Sequence, residues 1–196
     1  MAEPMRLAIA VLAAGASRRF GEADKLTAVL RSTPLGLHVT DTLGAQRRAL
    51  RADTLVVVTS RSDHPCASGW ERAGFTVVKN PEADDGMGTS VAVAARIARR
   101  GGADALMIAL ADMPLVPREH YCSIIDAATQ ADTMIASRDG SIRMPPAVFG
   151  RAHFDALAQL SGDTGARALL REARTITCPP EWLTDIDTPE ALAALQ

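Results

Sequence analysis

The chain has 196 residues and a formal net charge of -2, so no overall electrostatic attraction draws it to nucleic acid or to anionic lipid. Aromatic residues make up 4% of the sequence, too few for the base-stacking surfaces of single-strand nucleic-acid binders. Apolar residues make up 47% and charged residues 22%, the balance of a globular protein, and we expect a single domain over residues 1–196.

The first residues and the cysteines indicate a cytoplasmic protein. No basic leader precedes an apolar stretch near the start of the sequence, and the first apolar run, residues 7–14, is too short to cross a membrane. The three cysteines, Cys66, Cys122 and Cys178, are far apart and form no C-x-x-C motif. We therefore expect reduced thiols, no disulfide framework, no zinc site and no membrane partner.

Apolar runs that fit strands buried on both faces alternate along the chain with helix-like segments. The predicted strands are Leu7–Leu12, Leu55–Thr59, Phe75–Val78, Ala105–Leu110 and Met134–Ala136. The predicted helices are Leu35–Leu50, Ser90–Arg100, Arg118–Gln130, His153–Leu160, Gly165–Ala173 and a last helix that Asp187 or Thr188 opens. Segment Ser137–Phe149 is predicted to be a long loop with one short strand at Ala147–Phe149, because a glycine and two prolines interrupt it.

This alternation predicts an α/β protein with a mostly parallel, doubly wound sheet between two layers of helices, a Rossmann-like arrangement. Ligands of such sheets bind at the carboxyl ends of the strands. The residues that follow the apolar runs are therefore the candidates for function.

The loop after the first predicted strand reads LAAGASRRFGEADKL over residues 12–26. It matches neither the P-loop nor the G-x-G-x-x-G dinucleotide motif, because other residues stand where those motifs require glycine. Gly15 permits a tight turn that presents backbone N–H groups, and Arg18 and Lys25 carry charges that suit a triphosphate. A plain strand-to-helix turn with solvated arginines is the alternative.

Two later loops also follow predicted strands. In NPEADDGMGTS, residues 80–90, two glycines open the backbone and Thr89 or Ser90 caps the next helix, which makes either an anion or polar-ligand site or an ordinary capped helix. In LADMP, Asp112 would lie at the carboxyl end of a central strand. A carboxylate there either holds Mg²⁺ against phosphate oxygens or caps the following helix.

A pair of aspartates lies near the end of the sequence, in TDIDTPE. Asp185 and Asp187 alternate across Ile186, so that one can point inward while the other faces outward. Asp187 is the preferred cap of the last helix, and a second carboxylate on the metal of Asp112 is the alternative.

Together these motifs resemble the nucleotidyltransferases of molybdenum cofactor biosynthesis. The first loop is similar to the L-x-x-G-x-x-x-R-(M/F)-G-x-x-K signature of that family, and NPEADDGMGTSV, LADMP, PPAVF, LSGDTGARALL and DIDTPEAL follow in the family's order and spacing over nearly the whole chain. The resemblance is stronger to the cytidylyltransferases than to the guanylyltransferases, which typically read LAGG and GPLAG where this chain has Ala14 and Gly86-Met87.

The resemblance implies a nucleotidyltransferase fold and assigns site residues. The nucleotide would be bound by Leu12, Ala13, Ala14, Gly15, Arg18, Lys25, Asn80, Gly86, Met87 and Ser90. Asp112 and Asp187 would hold Mg²⁺, and Lys25, Arg18 and Asp112 would be catalytic. The acceptor molybdopterin would contact Arg143, Pro145, Asp163 and Arg167. The chain departs from the family pattern at residues 27–36, 88 and 143–144. These departures bear on the identity of the acceptor more than on the type of reaction.

The implied reaction transfers CMP from CTP to the phosphate of molybdenum-loaded molybdopterin and releases pyrophosphate, with a molybdoenzyme or maturation factor as a further partner. Three alternatives stay open: the same transfer from GTP, the same chemistry on another phosphate acceptor, and a carrier of molybdenum cofactor without catalysis. An ionised phosphate nucleophile needs no protein base, which agrees with the lack of a serine, histidine or cysteine constellation in the sequence.

Overall fold

The computed structural model describes residues 5–15, 20, 24–140, 142–162 and 164–196, apart from the side chains of residues 164–167. The strands are β1 (Leu7–Ala13), β2 (Val29–Leu30), β3 (Thr33–Pro34), β4 (Ala52–Thr59), β5 (Thr76–Lys79), β6 (Ala105–Leu110), β7 (Met134–Arg138), β8 (Arg143–Gly150) and β9 (Arg174–Thr177). The α-helices are α1 (Leu35–Ala45), α2 (Ala67–Arg72), α3 (Met87–Arg100), α4 (Arg118–Asp126), α5 (Phe154–Leu157), α6 (Thr164–Glu172) and α7 (Pro189–Ala193). None of the helices in this part of the chain is long and apolar enough to cross a membrane.

Seven strands form one sheet in the order β5-β4-β1-β6-β8-β7-β9. Among these described strands only β8 is antiparallel to its neighbours, and β2 and β3 form a separate antiparallel pair. The chain passes from β1 outward to β4 and β5 and then returns to β6 on the other side of β1. The predicted mostly parallel, doubly wound sheet is therefore confirmed, and the strand order reverses between β1 and β6.

Helices cover both faces of the sheet. One face carries α1, α2 and α4 over a core that includes Val11, Val57 and Met107. The other carries α3, α5 and α6 over a core that includes Ala10 and Ile108. Every residue of β1 is buried, as expected for a strand covered on both sides.

The region from Ser137 to Phe149 differs from the prediction, because β7 and β8 form a hairpin in place of a long loop. The pairing shifts within the hairpin: Ala136 lies opposite Ala147, whereas Ser137 lies opposite Met144. Two residues, Pro145 and Pro146, are therefore left over on β8 as a bulge. Proline lacks the N–H that a regular hydrogen-bond ladder requires. The two prolines that suggested a loop are therefore accommodated in a strand, at the bulge where no pairing is needed.

The remaining differences concern short elements. The prediction included no strand at β9 and no helix at α2. It also extended α1 and α4 too far, because these helices end at Ala45 and Asp126 in the structure. The strand β9 has only four residues, none of them fully buried, so it lacks the continuous apolar run that identified the central strands.

A small separate core connects residues that are far apart in the sequence. Leu30 and Leu35 pack against Ile186 and Leu192, all four of them buried. This core holds the segment that precedes α7 against the β2–β3 pair, which follows Lys25 in the chain. It thereby fixes the distance between two candidate site residues, Lys25 and Asp187.

Candidate active site

A cavity of about 310 Å³ opens where the strand order reverses. At the ends of β1 and β6 it is lined by Leu12, Ala14, Gly15, Leu110 and Asp112, and around the start of α3 by Ala83, Asp84, Gly86, Met87 and Ser90. This is the position at which doubly wound sheets bind their ligands. Ala13 lies beside these residues but is buried in the core on the face of α1.

Three charged side chains from distant parts of the chain meet beside this cavity. The Lys25 Nζ lies 2.6 Å from Asp112 Oδ2 and 2.6 Å from Asp187 Oδ1. The Lys25 side chain is only 10% exposed, and those of Asp112 and Asp187 are 20% and 34% exposed. In the sequence, Asp112 and Asp187 are 87 and 162 residues away from Lys25. The structure therefore brings together one cation and two carboxylates from three distant motifs.

Lys25 is positioned by the residue that precedes it. Asp24 accepts a hydrogen bond at Oδ1 from Leu26 N and caps the short 3₁₀ turn Lys25–Thr27. The other oxygen of Asp24 accepts a hydrogen bond from His64 Nε2 at 2.7 Å, since His64 Nδ1 already accepts one from Cys66 N. His64 is buried and stacks on Trp70, with 4.6 Å between the ring centroids. The turn that carries Lys25 is thus anchored to the core beneath α2.

Asp187 is positioned by the backbone. The N–H of Ile186 donates to the carbonyl of Asp112 at 2.9 Å, which fixes the Asp185–Asp187 segment beside the end of β6. The expectation that Asp187 caps the last helix is wrong, because Thr188 Oγ1 accepts the hydrogen bond from Ala191 N. Asp112 likewise pairs with Lys25, and α4 begins at Arg118, after Pro117, with no side-chain cap. Both aspartates are used at the site and not as helix caps.

Partial burial and neighbouring charges shift the pKa values of groups in this cluster. Burial lowers the pKa of Lys25, but the carboxylates of Asp112 and Asp187 outweigh it, so that the net pKa is raised above 10.5. Asp185 is exposed, yet it lies close enough to the cluster for the charges of Asp187 and Asp112 to act on it. Partial burial, together with the charges of Asp187 and Asp112, raises the pKa of Asp185 above its usual 3.8. At neutral pH the ammonium of Lys25 is therefore a fixed positive charge among carboxylates.

The loop that forms the other wall of the cavity is held by a buried amide. Asn80 is 1% exposed, and its Nδ2 donates to Thr89 Oγ1 and Ser90 Oγ at 2.8 and 2.9 Å, while Oδ1 accepts from Glu82 N. Thr89 and Ser90 do not cap α3, which starts two residues earlier, after Gly86. Asn80, predicted to bind nucleotide, here positions the residues that line the cavity.

A second cavity of about 580 Å³ adjoins the first, and Met87 and Leu110 line both. Its lining is Met87, Val91, Ile108, Leu110, Ile142, Arg143, Met144, Pro145, Ala147, Phe149, Leu157, Leu170, Arg171 and Asp185. The walls are mainly apolar, and the charged groups are two arginines and Asp185. Met87 and Ile142 expose 44% and 59% of their surface, unusual for large apolar residues. Such a cavity suits a largely apolar ligand that carries a few polar groups.

A divalent metal ion fits beside the first cavity. The oxygens of Asp112 and Asp187 both contact the Nζ atom of Lys25, so one ion can contact both carboxylates when the Lys25 ammonium moves out from between them. No group of three or more acidic, histidine or cysteine side chains with metal-site geometry occurs among the described residues. Two carboxylates completed by phosphate oxygens and water are the donor set that Mg²⁺ prefers at phosphate-transfer sites.

Some predicted residues cannot be placed, and others were missed. Arg18 and Asp163 lie outside the described residues, as does the side chain of Arg167. The pairing of Asp24 with His64 was missed, since no sequence pattern connects an aspartate with a buried histidine forty residues away. Arg143 and Pro145, predicted to contact the acceptor, line the second cavity.

Known proteins share the sequence pattern and the fold of this chain. Residues 9–176 match the MobA-like NTP transferase domain. The chain is 31% identical to the purine catabolism protein PucB of Bacillus subtilis (strain 168), over 91% of this chain and 90% of that one.

Solved structures with the same fold include Rv0371c of Mycobacterium tuberculosis H37Rv, at 25% identity and a TM-score of 0.71, with 97% of both chains covered. The Rv0371c homolog of Mycobacterium sp. strain JC1 superposes with a TM-score of 0.75 at 26% identity, over 96% of both chains. A nucleotidyl transferase, Mth528, shares the fold at 20% identity, with a TM-score of 0.72 over 97% of this chain and 95% of that one.

The matched domain covers most of the chain, and it includes Lys25, Asp112 and the loop that Asn80 holds. The resemblance drawn from the sequence motifs is confirmed at the level of the family, and a nucleoside triphosphate is the substrate that this domain implies. The chain belongs to the MobA-like NTP transferase domain family and is a nucleotidyltransferase.

Proposed function

We propose that the chain acts as one domain over residues 1–196 and transfers CMP from CTP to the phosphate of molybdenum-loaded molybdopterin. The products are molybdopterin cytosine dinucleotide and pyrophosphate. The observation that supports this most is the position of the Lys25, Asp112 and Asp187 cluster. Asp112 lines the smaller cavity, and Asp185, two residues before Asp187, lines the larger one. Charge neutralisation is thus available where two substrates in adjacent cavities would meet.

The smaller cavity is the proposed nucleotide site. Gly15 offers its backbone N–H with open space around its Cα, because an added Cβ would have no heavy atom within 4 Å. Ala14 and Met87, which distinguish this chain from the guanylyl pattern, line the same cavity. The side chain of Ala14 occupies room that the glycine of the guanylyl pattern would leave empty, and this favours a single-ring cytosine over guanine.

The larger cavity is the proposed acceptor site. Its apolar walls suit the flat pterin ring system, and Arg143 supplies a positive charge for an anionic acceptor. Pro145, one of the two bulged prolines, lies in the wall of this cavity. In a regular strand this position would continue the hydrogen-bond ladder between β7 and β8.

In the proposed reaction an oxygen of the acceptor phosphate attacks the α-phosphorus of CTP. The bond from that phosphorus to the oxygen bridging to the β-phosphate breaks, and pyrophosphate leaves with the electron pair. Lys25 carries a permanent charge that takes up negative charge on the leaving group, and the cavity walls hold nucleophile and phosphorus in line. Mg²⁺ held by Asp112 and Asp187 would neutralise phosphate charge when bound. The nucleophile is already ionised, so no side chain has to remove a proton.

The test is to incubate the protein with CTP, Mg²⁺ and molybdenum-loaded molybdopterin, and to measure both pyrophosphate and the dinucleotide. We expect both products in equal amounts, and a kcat/KM with CTP at least about tenfold above that with GTP. Faster reaction with GTP would replace the base assignment by guanine. Pyrophosphate release with a sugar or alcohol phosphate, but not with molybdopterin, would replace the acceptor. Tight binding of molybdopterin without any pyrophosphate would identify a carrier.

The metal assignment has its own measurement. We expect Asp112→Asn to raise the Mg²⁺ concentration needed for half-maximal rate, because one anionic ligand is lost. The matched control is Asp63→Asn, since Asp63 is exposed and pairs with Arg61 outside both cavities. An unchanged Mg²⁺ requirement in Asp112→Asn would remove Asp112 from the metal site.

A further inference from the structure

The segment that precedes α2 contacts the Lys25 turn on both sides of the lysine. His64 Nε2 donates to Asp24 Oδ2 at 2.7 Å, and Cys66 Sγ donates to the carbonyl oxygen of Leu26 at 3.4 Å. Asp24 and Leu26 are the residues directly before and after Lys25. Two side chains of one short segment therefore hold both neighbours of the lysine.

The direction of these two hydrogen bonds is fixed by the surroundings of the donors. His64 Nδ1 accepts from Cys66 N at 3.0 Å, and a neutral ring that accepts at Nδ1 carries its proton on Nε2, facing Asp24. Burial raises the pKa of the Cys66 thiol to about 11, so the thiol remains a donor at neutral pH. The segment before α2 thus supplies both donors, and the Lys25 turn supplies both acceptors.

The segment before α2 is itself fixed in the core. His64 exposes 1% of its side chain and stacks on Trp70. Trp70 is fully buried, and its Nε1 donates to the carbonyl of Gly36 at 2.8 Å. A Cβ on Gly36 would lie 3.0 Å from Leu26 Cβ and 3.4 Å from Cys66 Sγ, so the start of α1 packs closely against both residues. A buried ring that is stacked and hydrogen-bonded at both nitrogens keeps one orientation.

The carboxylates that Lys25 contacts are held by different elements. Asp112 follows β6, and Asp187 is placed by the hydrogen bond from Ile186 N to the carbonyl of Asp112. His64 is not among the residues that line either cavity at the carboxyl edge. A change at His64 therefore reaches the substrates through the turn that carries Lys25, and it leaves the elements that hold the carboxylates in place.

We propose that His64 is a positioning residue for the nucleotidyl transfer: by its hydrogen bond to Asp24 it fixes where the Lys25 ammonium lies, without itself contacting substrate. A misplacement of about 1 Å at a reacting centre can cost about 10²-fold in rate, so a residue outside the cavities can control the reaction in this way. The inference rests on the proposed function in one respect, the action of Lys25 on phosphate charge. It extends the functional site to the buried segment before α2.

The kinetic test compares two substitutions that each keep one property of His64. His64→Gln keeps a side-chain N–H for Asp24 but loses the ring, whereas His64→Phe keeps a ring for the stack on Trp70 but loses the N–H. At saturating CTP, acceptor and Mg²⁺, we expect kcat to fall about 10–100-fold in His64→Phe and no more than about threefold in His64→Gln. The opposite order would show that His64 serves only the packing of the core, and it would overturn the proposal.

A second set of variants tests whether the effect passes through Lys25. In a Lys25→Ala background, His64→Phe should lower kcat by less than about a further twofold, because the group that it positions is absent. Equal losses in both backgrounds would overturn the proposal. Near-normal turnover of Lys25→Ala alone would instead overturn the role of Lys25 in the proposed function, and that of His64 with it. The control is His153→Ala, because His153 contacts the carbonyl of Asp132 and lines neither cavity.

A spectroscopic measurement tests the positioning without any substrate. The chain has two lysines, Lys25 and the exposed Lys79, so protein labelled with ¹³C-lysine gives two Cε signals, which Lys79→Arg assigns. At one fixed pH near neutrality, the Cε of Lys25 should be more ordered than that of Lys79 in the unmodified protein, in His64→Gln and in His153→Ala, and should lose this order in His64→Phe. Urea unfolding establishes that each variant is folded. An equally ordered Lys25 in folded His64→Phe would show that the carboxylates alone hold the lysine, and would overturn the proposal.

Discussion

The two edges of the sheet carry similar kinds of residues in different surroundings. At the amino edge a cavity of about 670 Å³ is larger than either cavity at the carboxyl edge, and Arg51, Arg151, Asp104 and Asp126 contribute charges to it. Its ion pair, Arg151 Nη1 to Asp104 Oδ1, spans 3.2 Å with side chains that are 65% and 37% exposed. At the carboxyl edge the ammonium of Lys25 contacts two carboxylates at 2.6 Å and is 10% exposed.

The comparison shows that burial, more than cavity volume, distinguishes the candidate active site. Water screens an exposed ion pair, and such a pair contributes little to stability or to ligand recognition. A partly buried cluster retains strong interactions and can exchange its internal partners for substrate phosphates and a metal ion. If this view is correct, substitutions at the carboxyl edge have large effects and substitutions at the amino edge small ones.

The largest effect is expected for Lys25→Ala. The substitution removes the only cation that the structure describes between Asp112 and Asp187, so kcat should fall about 10²–10³-fold, on the order of 3–4 kcal/mol of transition-state stabilisation. The measurement is kcat at saturating CTP and Mg²⁺. The chain has one other lysine, the exposed Lys79, and Lys79→Ala is the control. Near-normal turnover of Lys25→Ala would show that the cluster is structural.

A steric substitution at the same edge should cost less. The backbone N–H of Gly88 donates to the carbonyl of Gly162 at 2.8 Å, and a Cβ on Gly88 would lie 2.5 Å from that oxygen. Gly88→Ala should therefore displace the turn at Gly162 and lower the free energy of unfolding by about 1–3 kcal/mol. Urea unfolding measures this.

The control for this steric effect is Gly101→Ala, in which the new Cβ would have no neighbour closer than 3.4 Å. The two variants should differ clearly in their unfolding midpoints. Equal stability would mean that the turn moves aside freely, and that the start of α3 is less tightly fixed than the structure indicates.

Gly88 also illustrates what the sequence could predict and what it could not. In the sequence, a glycine at position 88 was only a departure from the family pattern. The reason for the glycine is the close approach of Gly162, a residue 74 positions later in the chain. The central strands were predictable because they are continuous apolar runs. The meeting of Lys25 and Asp112 followed from strand ends that share one edge of a parallel sheet, whereas Asp187 was assigned to the site by the family resemblance alone.

The site residues that escaped prediction are those whose position depends on tertiary contacts. Asp24 was part of a motif, but its hydrogen bond to His64 depends on how α2 packs. Asp185 was expected to alternate with Asp187, but its environment is set by the approach of the Ile186 backbone to Asp112. The hairpin of β7 and β8 was obscured by prolines whose role as a bulge requires a partner strand.

A pH-dependent effect should be smaller than that of Gly88→Ala. His120 is buried on α4, and its Nε2 donates to Ser137 Oγ, since the hydroxyl of Ser137 itself donates to Pro146 O. Burial lowers the pKa of His120 below 6.5. The unfolded chain therefore takes up this proton first on acidification. Stability from His120 is complete above pH 6.5 and is lost as the pH falls toward the lower, folded-state pKa.

His120→Gln keeps a donor for Ser137 but cannot titrate. We expect the unmodified protein to lose more stability than His120→Gln between pH ~7 and ~5, measured by urea unfolding at both values. The control is His153→Gln, because His153 is only half-buried and contacts a backbone carbonyl. Identical pH profiles for the unmodified protein and His120→Gln would show that His120 titrates as it does in the unfolded chain.

The smallest effect is expected at the amino edge, for Arg151→Ala. Its ion pair with Asp104 is exposed, and the backbone hydrogen bond from Arg151 N to Asp104 O remains when the side chain is removed. The free energy of unfolding should change by no more than about 0.5 kcal/mol, and kcat/KM for nucleotide and acceptor should stay within about twofold. This result would indicate that the cavity at the amino edge does not take part in catalysis. A tenfold loss of activity with unchanged stability would instead make the amino edge functional, and burial would no longer separate the two edges.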